Sequence, residues 1–215
     1  MTRLPMRRAS LALGAALVPL GWAFAAAPLG MVGHMAGHMI AVAVAAPFLA
    51  YGIAGSRFDP AERWPMLVTP LGMSLVELVV VWVWHLPALR LRVDMQPLAL
   101  LIEQASFLIA GLMLWSAVLG TRIGGASDRR ASGVAALLLT SMHMTLLGAL
   151  IGLAPRPLYA MMAQMSGGHP AIHGLDALED QQLGGVVMLM VGAASYFIGG
   201  LAMLGGLLKT RSATA

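Results

Sequence analysis

Long apolar runs separated by short polar segments form the pattern of this chain. A helix needs about 20 apolar residues to cross roughly 30 Å of hydrocarbon, and these runs are continuous rather than alternating, which argues against strands. Lipid cannot satisfy bare backbone groups, so spans of this kind are helical. We predict an all-α, polytopic transmembrane helical bundle, a single domain over 1–215, with six spans at 9–27, 34–54, 66–86, 96–119, 132–153 and 184–208.

The first apolar run has two interpretations. Arg3, Arg7 and Arg8 precede it, and it ends in a small-residue stretch at 23–27. That pattern also describes a secretory signal peptide with its cleavage site. Residues 1–27 are therefore either the first span or a cleaved leader, and the bundle has five spans in the second case.

Composition supports a membrane protein and removes several classes of function. Only 10% of the residues are charged, against about 25% in a soluble domain. The chain has no cysteine, so disulfides and thiolate metal sites are excluded. The net charge of +4 comes from loop arginines that form no long basic stripe, so nucleic acid is not an expected partner.

The distribution of Lys and Arg predicts the orientation. With the N-terminus inside, the inner segments hold ten basic residues and the outer segments hold three, namely Arg90, Arg92 and Arg156. Positive residues favour the cytoplasmic side. We therefore predict a bacterial inner-membrane protein with a cytoplasmic C-terminus and with outer, periplasmic connections at 28–33, 87–95 and 154–183, the last being a long loop.

The ionisable and metal-binding side chains gather toward the outer face. All six histidines lie in the outer half of the predicted bundle or in its outer connections: His34, His38, His85, His143, His169 and His173. Glu103 lies about 10 Å below the outer end of its span at 1.5 Å per residue, and His143 about 15 Å below. The outer face is therefore where chemistry is expected.

The segment His34-Met35-Ala36-Gly37-His38-Met39 is the sharpest local feature. Residues four apart share a helix face, so imidazoles and thioethers lie within one arc. Imidazole suits copper and zinc, and thioether selects Cu(I). We predict that His34 and His38 bind a metal with Met35 or Met39 as a soft supplement, although Met also serves simply as flexible packing.

Further candidates come from neighbouring spans. His85, in Trp84-His85-Leu86-Pro87, is a candidate third ligand, although an interfacial aromatic belt explains its surroundings as well. A carboxyl within a span is costly and commonly faces the bundle interior. Glu103, Glu77 and Asp180 are candidates to support a ligand or to carry a proton, and His143 is a further candidate ligand.

Several motifs between about 30 and 200 resemble one family. They are His34 through Met39 with Ala46-Pro47, Trp84 through Pro87, Glu103 through Phe107 with Gly111 and Trp115, Pro157-Leu158-Tyr159, and Asp180 through Gly185. Together they are similar to the multi-span cytochrome c oxidase assembly factors of the CtaG type, associated with caa-type oxidases. The chain departs from that pattern at Gln104, where a histidine is expected, and an N-terminal span usual in the family is missing.

The resemblance implies a role in copper insertion into, or maturation of, a haem-copper oxidase. The implied partners are an oxidase subunit and periplasmic copper carriers, and the implied cofactor is Cu(I). Two alternatives stay open. A b-type haem redox protein would use His34 or His38 with His143, and a copper or small-ion permease would need polar groups along a complete path. No Walker loop, G-x-S-x-G or H-E-x-x-H motif is present, so we predict a protein that is not an enzyme.

Overall fold

The computed structural model describes residues 3–120, 126–159 and 174–212, and nine α-helices lie within these ranges. They are α1 (Arg3–Ala26), α2 (Gly30–Met39), α3 (Ala46–Ile53), α4 (Pro60–Arg63), α5 (Pro70–Trp84), α6 (Pro87–Met95), α7 (Pro97–Leu119), α8 (Ala126–Gly152) and α9 (Ala177–Ser212). A π-helical turn, Ile40–Ala45, joins α2 to α3. The candidates His169 and His173 lie outside the described residues.

Five apolar helical stretches of the described chain are long enough to cross a membrane: α1, α2 with α3, α7, α8 and α9. A sixth span exists if α5 and α6, which are bent by 71° at a short break, count as one. Large apolar side chains such as Leu98, Met142 and Ile198 are more than half exposed on the outside of the bundle. The predicted polytopic helical bundle is therefore confirmed.

The third predicted span, 66–86, differs from the observed helix. α5 begins only at Pro70, because the residue before a proline disfavours helical backbone and proline itself is well suited to the first helical position. Its 15 residues extend about 22 Å at 1.5 Å per residue. The chain then turns at His85 and Leu86 into α6, which also begins at a proline, Pro87.

The long connection predicted at 154–183 is shorter than expected, since α9 begins at Ala177. The Asp176 carboxylate accepts hydrogen bonds from Leu178 N and Glu179 N at 2.8 and 2.9 Å, and the Glu179 carboxylate accepts one from Asp176 N at 2.9 Å. This reciprocal arrangement is a capping box, which satisfies the free N–H groups of a helix start. Asp180 therefore lies in the first turn of α9 rather than in a loop.

Small residues let the helices approach closely. A Cβ on Gly185 of α9 would lie 2.5 Å from Gly152 N and 2.7 Å from Gly148 O of α8. A Cβ on Gly37 of α2 would lie 2.6 Å from Gly21 O of α1. Such contacts are typical of membrane helices that pack through small residues. A Cβ on Gly184 of α9 would lie 2.8 Å from Met31 Cγ of α2, so α2 packs against α1 through Gly37 and against α9 through Gly184.

Candidate functional site

Three histidines from two segments of the chain meet in the buried interior. His34 and His38 are one turn apart on α2, and His85 follows the last residue of α5. The ring centroids of His34 and His38 are 5.2 Å apart, as are those of His38 and His85. Their exposed fractions are 2%, 0% and 8%. The predicted convergence of imidazoles from separate spans is therefore present.

His38 and His85 present their rings in the same way. Nδ1 of His38 lies 3.0 Å from the His34 carbonyl, and Nδ1 of His85 lies 2.6 Å from the Val81 carbonyl. A carbonyl only accepts, so the proton of each neutral ring is on Nδ1. The Nε2 atoms of both rings are buried without a hydrogen-bond partner among the described residues. Each Nε2 therefore carries a free lone pair, which is what a metal ion needs.

Phe107 of α7 packs against both of these rings. Its ring centroid is 4.8 Å from that of His38 and 6.2 Å from that of His85, and its side chain is fully buried. An apolar wall next to a site limits the access of water and lowers the local dielectric constant. The two Nε2 atoms therefore lie in an environment that water does not readily share.

His34 has different contacts, because both of its ring nitrogens are engaged. Arg90 Nη1 lies 2.5 Å from His34 Nδ1 and 3.1 Å from its Nε2. Glu103 Oε1 lies 3.5 Å from Nε2. Arginine only donates, so Nδ1, the nearer nitrogen, accepts from Arg90, and the proton of a neutral ring is on Nε2. Glu103 Oε1 lies near that nitrogen but has no hydrogen-bond partner among the described residues. His34 thus belongs to a charged network rather than to the pair with free lone pairs.

Arg90 is the centre of that network. Its guanidinium is only 6% exposed, pairs with the Asp94 carboxylate one turn along α6, and lies 3.9 Å from Glu103 Oε1. Glu103 is completely buried, and its Oε2 accepts a hydrogen bond from Gln104 Nε2 at 3.3 Å. A buried cation with carboxylates on two sides is compensated, so the cluster tolerates its low-dielectric surroundings.

Tyr159, which follows α8, and Asp180, in the first turn of α9, bond to the backbone of the two histidine-bearing segments. Asp180 accepts hydrogen bonds from Met31 N at 2.6 Å and Val32 N at 3.3 Å, which caps the start of α2. The hydroxyl of Tyr159 donates to the His85 carbonyl at 3.0 Å. Burial raises the pKa of Tyr159 to about 12, so this phenol remains a donor over the physiological range. Asp180 and Tyr159 therefore fix the backbones that carry His38 and His85.

The two candidate methionines lie on a different side of α2. The Cγ of Met35 faces Gly184 of α9, and the sulfur of Met39 lies near Gly192 of the same helix. Both side chains are completely buried in the apolar core. In this arrangement the thioethers pack between α2 and α9, whereas the histidines face His85 and Phe107.

The two remaining candidates lie deeper. Neither ring nitrogen of His143 has a partner among the described residues, and none of the ring contacts found there involves it. Glu77 of α5 is completely buried and is in hydrogen-bonding contact with the Tyr196 hydroxyl of α9. Neither side chain contacts the histidine cluster in the contacts resolved for this part of the chain.

A metal ion can be accommodated here only in a site with few protein ligands. Over the described residues, no group of three or more His, Asp or Glu side chains is arranged to hold a metal ion. The orphaned Nε2 atoms of His38 and His85 nevertheless fit an ion that accepts two nitrogen ligands. Two protein ligands are fewer than the three or four that zinc usually takes in proteins.

Three residues near the histidines were not singled out from the sequence as parts of the site: Arg90, Phe107 and Tyr159. Arg90 could have been suspected, because it stands four residues before Asp94 in a short helix, the spacing of an intrahelical ion pair. It is also one of only three basic residues on the predicted outer side. Phe107 and Tyr159 occur only within motifs, and nothing in an isolated aromatic residue indicates which ring or carbonyl it will contact.

Comparison with known proteins identifies the family of the chain. The sequence model of the cytochrome c oxidase caa3 assembly factor family matches residues 5–210. The chain belongs to the cytochrome c oxidase caa3 assembly factor family. No curated protein and no solved structure matches it.

The family match and the long apolar helices together give the general class of the protein. It is a multi-pass membrane protein of a family of assembly factors for cytochrome c oxidase. The oxidase is therefore its partner in the broad sense that an assembly factor acts on the complex it assembles. The match extends over almost all of the described residues, so the histidine cluster lies inside the family region.

Proposed function

We propose that this caa3 assembly factor holds Cu(I) between His38 and His85 and passes the ion to a subunit of a haem-copper oxidase. One observation carries the proposal. Two imidazole Nε2 atoms from different spans are buried side by side, and neither has a hydrogen-bond partner among the residues that the structure describes. A buried nitrogen acceptor left unsatisfied is unfavourable, which suggests that a ligand completes it.

The donor set favours copper over other common metals. The chain has no cysteine, so imidazole nitrogen is the strongest donor available near this site. Imidazole suits copper, and the closed-shell Cu(I) ion accepts low coordination numbers, whereas zinc takes four ligands. Glu103 Oε1 also has no hydrogen-bond partner among the described residues, but it lies beside His34 Nε2 and Arg90 Nη1, at 3.5 and 3.9 Å, in the charged network.

The predicted orientation supports transfer to an oxidase subunit. The bias of Lys and Arg favours the non-cytoplasmic side for the histidine end of the bundle, which in a bacterial inner membrane faces the periplasm. A copper carrier in that compartment would reach the ion from outside. The proposed role is to bind and transfer the ion, with no covalent bond made or broken, so the protein would not be an enzyme.

Metal analysis of the purified protein tests this function. We expect copper to bind in a fixed ratio to the parent chain after loading with Cu(I), and to be lost in both His38→Ala and His85→Ala. His143→Ala is the matched control, because it removes a buried histidine that lies outside the cluster, and it should keep the parent's copper. An unchanged copper content in His38→Ala and His85→Ala would refute the proposal.

The same preparation separates the two alternatives. A b-type haem protein would show a Soret band with reducible α and β bands. A permease would move copper across the bilayer of proteoliposomes. Neither property is expected of a protein that holds the ion near one face and hands it to a partner.

A further inference from the structure

The segment that carries His34 and His38 contains an irregular turn whose purpose the copper site does not by itself explain. The π-helical turn Ile40–Ala45 lies directly between the histidine-bearing α2 and α3. In it, the N–H of Ala46 bonds to the Ala41 carbonyl, five residues back rather than four. A turn of this kind adds one residue to the helix and is frequent at functional sites.

Pro47 explains why the turn leaves carbonyls free. Proline has no N–H, so it cannot bond to the Ala43 carbonyl as an α-helix would require, or to the Val42 carbonyl as a π turn would require. Both oxygens need partners from elsewhere, since lipid and the core supply none. The sequence of this turn therefore demands donors from a neighbouring helix.

Two adjacent hydroxyls of α9 supply those partners. Ser195 Oγ donates to the Ala43 carbonyl at 2.5 Å, and the Tyr196 hydroxyl donates to the Val42 carbonyl at 3.2 Å. The Tyr196 ring is completely buried and stacks on Trp115 with centroids 5.8 Å apart. Its hydroxyl position is therefore fixed by ring packing as well as by the hydrogen bond.

Glu77 of α5 completes the arrangement through Tyr196. Its Oε1 is in close hydrogen-bonding contact with the Tyr196 hydroxyl, its exposed fraction is 0%, and no ion pair found among the described residues involves it. A phenol has only one proton to donate. If that proton goes to the Val42 carbonyl, the contact with Glu77 needs a proton from the carboxyl group.

A neutral carboxylic acid at Glu77 satisfies its Oε1, the Tyr196 hydroxyl and the Val42 carbonyl at once, and leaves Oε2 as an uncharged oxygen without a partner among the described residues. It donates to the Tyr196 oxygen, and Tyr196 donates to Val42. If Tyr196 instead donated to an ionised Glu77, a carboxylate would be buried with no cation paired to it, and the Val42 carbonyl would have no donor. Both are strongly unfavourable. The hydrogen-bonding requirements thus favour donation from Glu77 to Tyr196 and from Tyr196 to Val42.

We propose that this series of hydrogen bonds, together with that of Ser195, is a positioning device. It holds α2 in the rotation at which His38 faces His85. Each residue turns an α-helix by about 100°, so the extra residue of the π turn rotates α2 by that amount relative to α3. Without the turn, and with α3 held in place, His38 would point away from His85. The inference rests on the proposed function, because it assigns these residues to the same histidine pair.

A metal-free distance measurement tests the positioning role. The chain lacks cysteine, so His38→Cys with His85→Cys gives the only thiol pair, and a short bis-thiosulfonate reagent reports their proximity. Adding Tyr196→Phe keeps the stacked ring and removes only the hydroxyl. We expect the bridging rate to fall roughly tenfold, the effect of one orphaned buried carbonyl. Ser195→Ala should lower the rate as well and serves if Tyr196→Phe fails to fold.

Two further variants give the experiment its controls. Ser74→Ala removes a buried hydroxyl on the same helix as Glu77, but one that bonds to Ala136 and Thr140 of α8, so the bridging rate should be unchanged. Glu77→Gln should keep the rate within about twofold, because its amide still donates to Tyr196. A rate unaffected by Tyr196→Phe and Ser195→Ala, or lowered equally by Ser74→Ala, would overturn the proposal.

Infrared spectroscopy tests the protonation of Glu77 separately. The parent should show the carbonyl stretch of a protonated carboxylic acid that Glu77→Gln removes and Tyr196→Phe shifts. A spectrum that loses no such band in Glu77→Gln would overturn the neutral carboxyl. Neither readout needs copper, so the copper proposal can fail while the positioning device stands, or the reverse.

Discussion

His34, His38 and His85 form one buried cluster, yet each ring meets different partners. The Nδ1 atoms of His38 and His85 face carbonyls four residues back, and both Nε2 atoms have no hydrogen-bond partner in the described part of the chain. The ring of His34 faces Arg90 and Glu103 instead. Under the copper proposal, His38 and His85 are therefore the two ligands, and His34 belongs to the charged network beside them.

Glutamine substitution distinguishes these two roles. His34→Gln should weaken Cu(I) binding by about 10–100-fold, which is the usual effect of removing a group that orients metal ligands. His38→Gln should abolish binding, because it removes a ligand itself. Competition with a colorimetric Cu(I) chelator measures both affinities. Equal losses in the two variants would place His34 among the ligands and contradict the division.

The helices are positioned by groups at their ends and by small residues at their crossings. The Asp180 carboxylate accepts from the first N–H groups of α2, and Gln181 beside it accepts from Leu158 N and donates to the Ile151 carbonyl. Gly148, Gly152 and Gly185 bring α8 and α9 into backbone contact. The start of α9 thus connects the histidine helix to α8.

Neutralising the cap of α2 should loosen the histidine helix locally. Asp180→Asn should cost about 0.3–1 kcal/mol of stability, because the amide oxygen still accepts but the negative charge that favours a helix N-terminus is lost, and should speed hydrogen exchange in the first turn of α2. Asp176→Asn is the matched control, since it weakens the cap of α9 instead. Unchanged exchange at Met31 and Val32 in Asp180→Asn would contradict the role of this carboxylate.

The crossing of α8 and α9 should not tolerate a single added methyl group. Gly185→Ala should lower the free energy of unfolding by about 1–3 kcal/mol through overpacking. A methyl group in Gly205→Ala, on the same helix, meets no atom of the described residues within 4 Å, so this change should be neutral or stabilising, because alanine favours helices by up to about 1 kcal/mol. Thermal denaturation in detergent compares the two, and equal midpoints would count against the close crossing.

The whole molecule is a membrane helical bundle. Its spans could be predicted from the hydrophobic runs, and the convergence of His34, His38 and His85 could be predicted from their similar depth in those spans. The division of roles among those histidines could not, because it depends on rotamers and on Arg90, which reaches them from a separate short helix. The start of α9 was missed although Asp176 and Glu179 have capping-box spacing. The π turn is visible in sequence only as Pro47, and its partners Ser195 and Tyr196 are about 150 residues away.

The predicted orientation can be tested with cysteines placed on opposite ends of the bundle. Leu153 and Phe58 are 82% and 67% exposed, and the chain has no native cysteine to add background. In intact spheroplasts, a membrane-impermeant maleimide should label Leu153→Cys and spare Phe58→Cys, because the basic residues hold the Phe58 side in the cytoplasm. The opposite labelling pattern would place the histidine end inside the cell.

X-ray absorption at the copper edge tests the central claim most directly. The Cu(I)-loaded protein should show a first shell of nitrogen scatterers with the outer-shell pattern of two imidazole rings, and that signal should disappear in both His38→Ala and His85→Ala. A first shell dominated by sulfur, or a spectrum that neither substitution changes, would show that the ion, if bound, is not held by this pair.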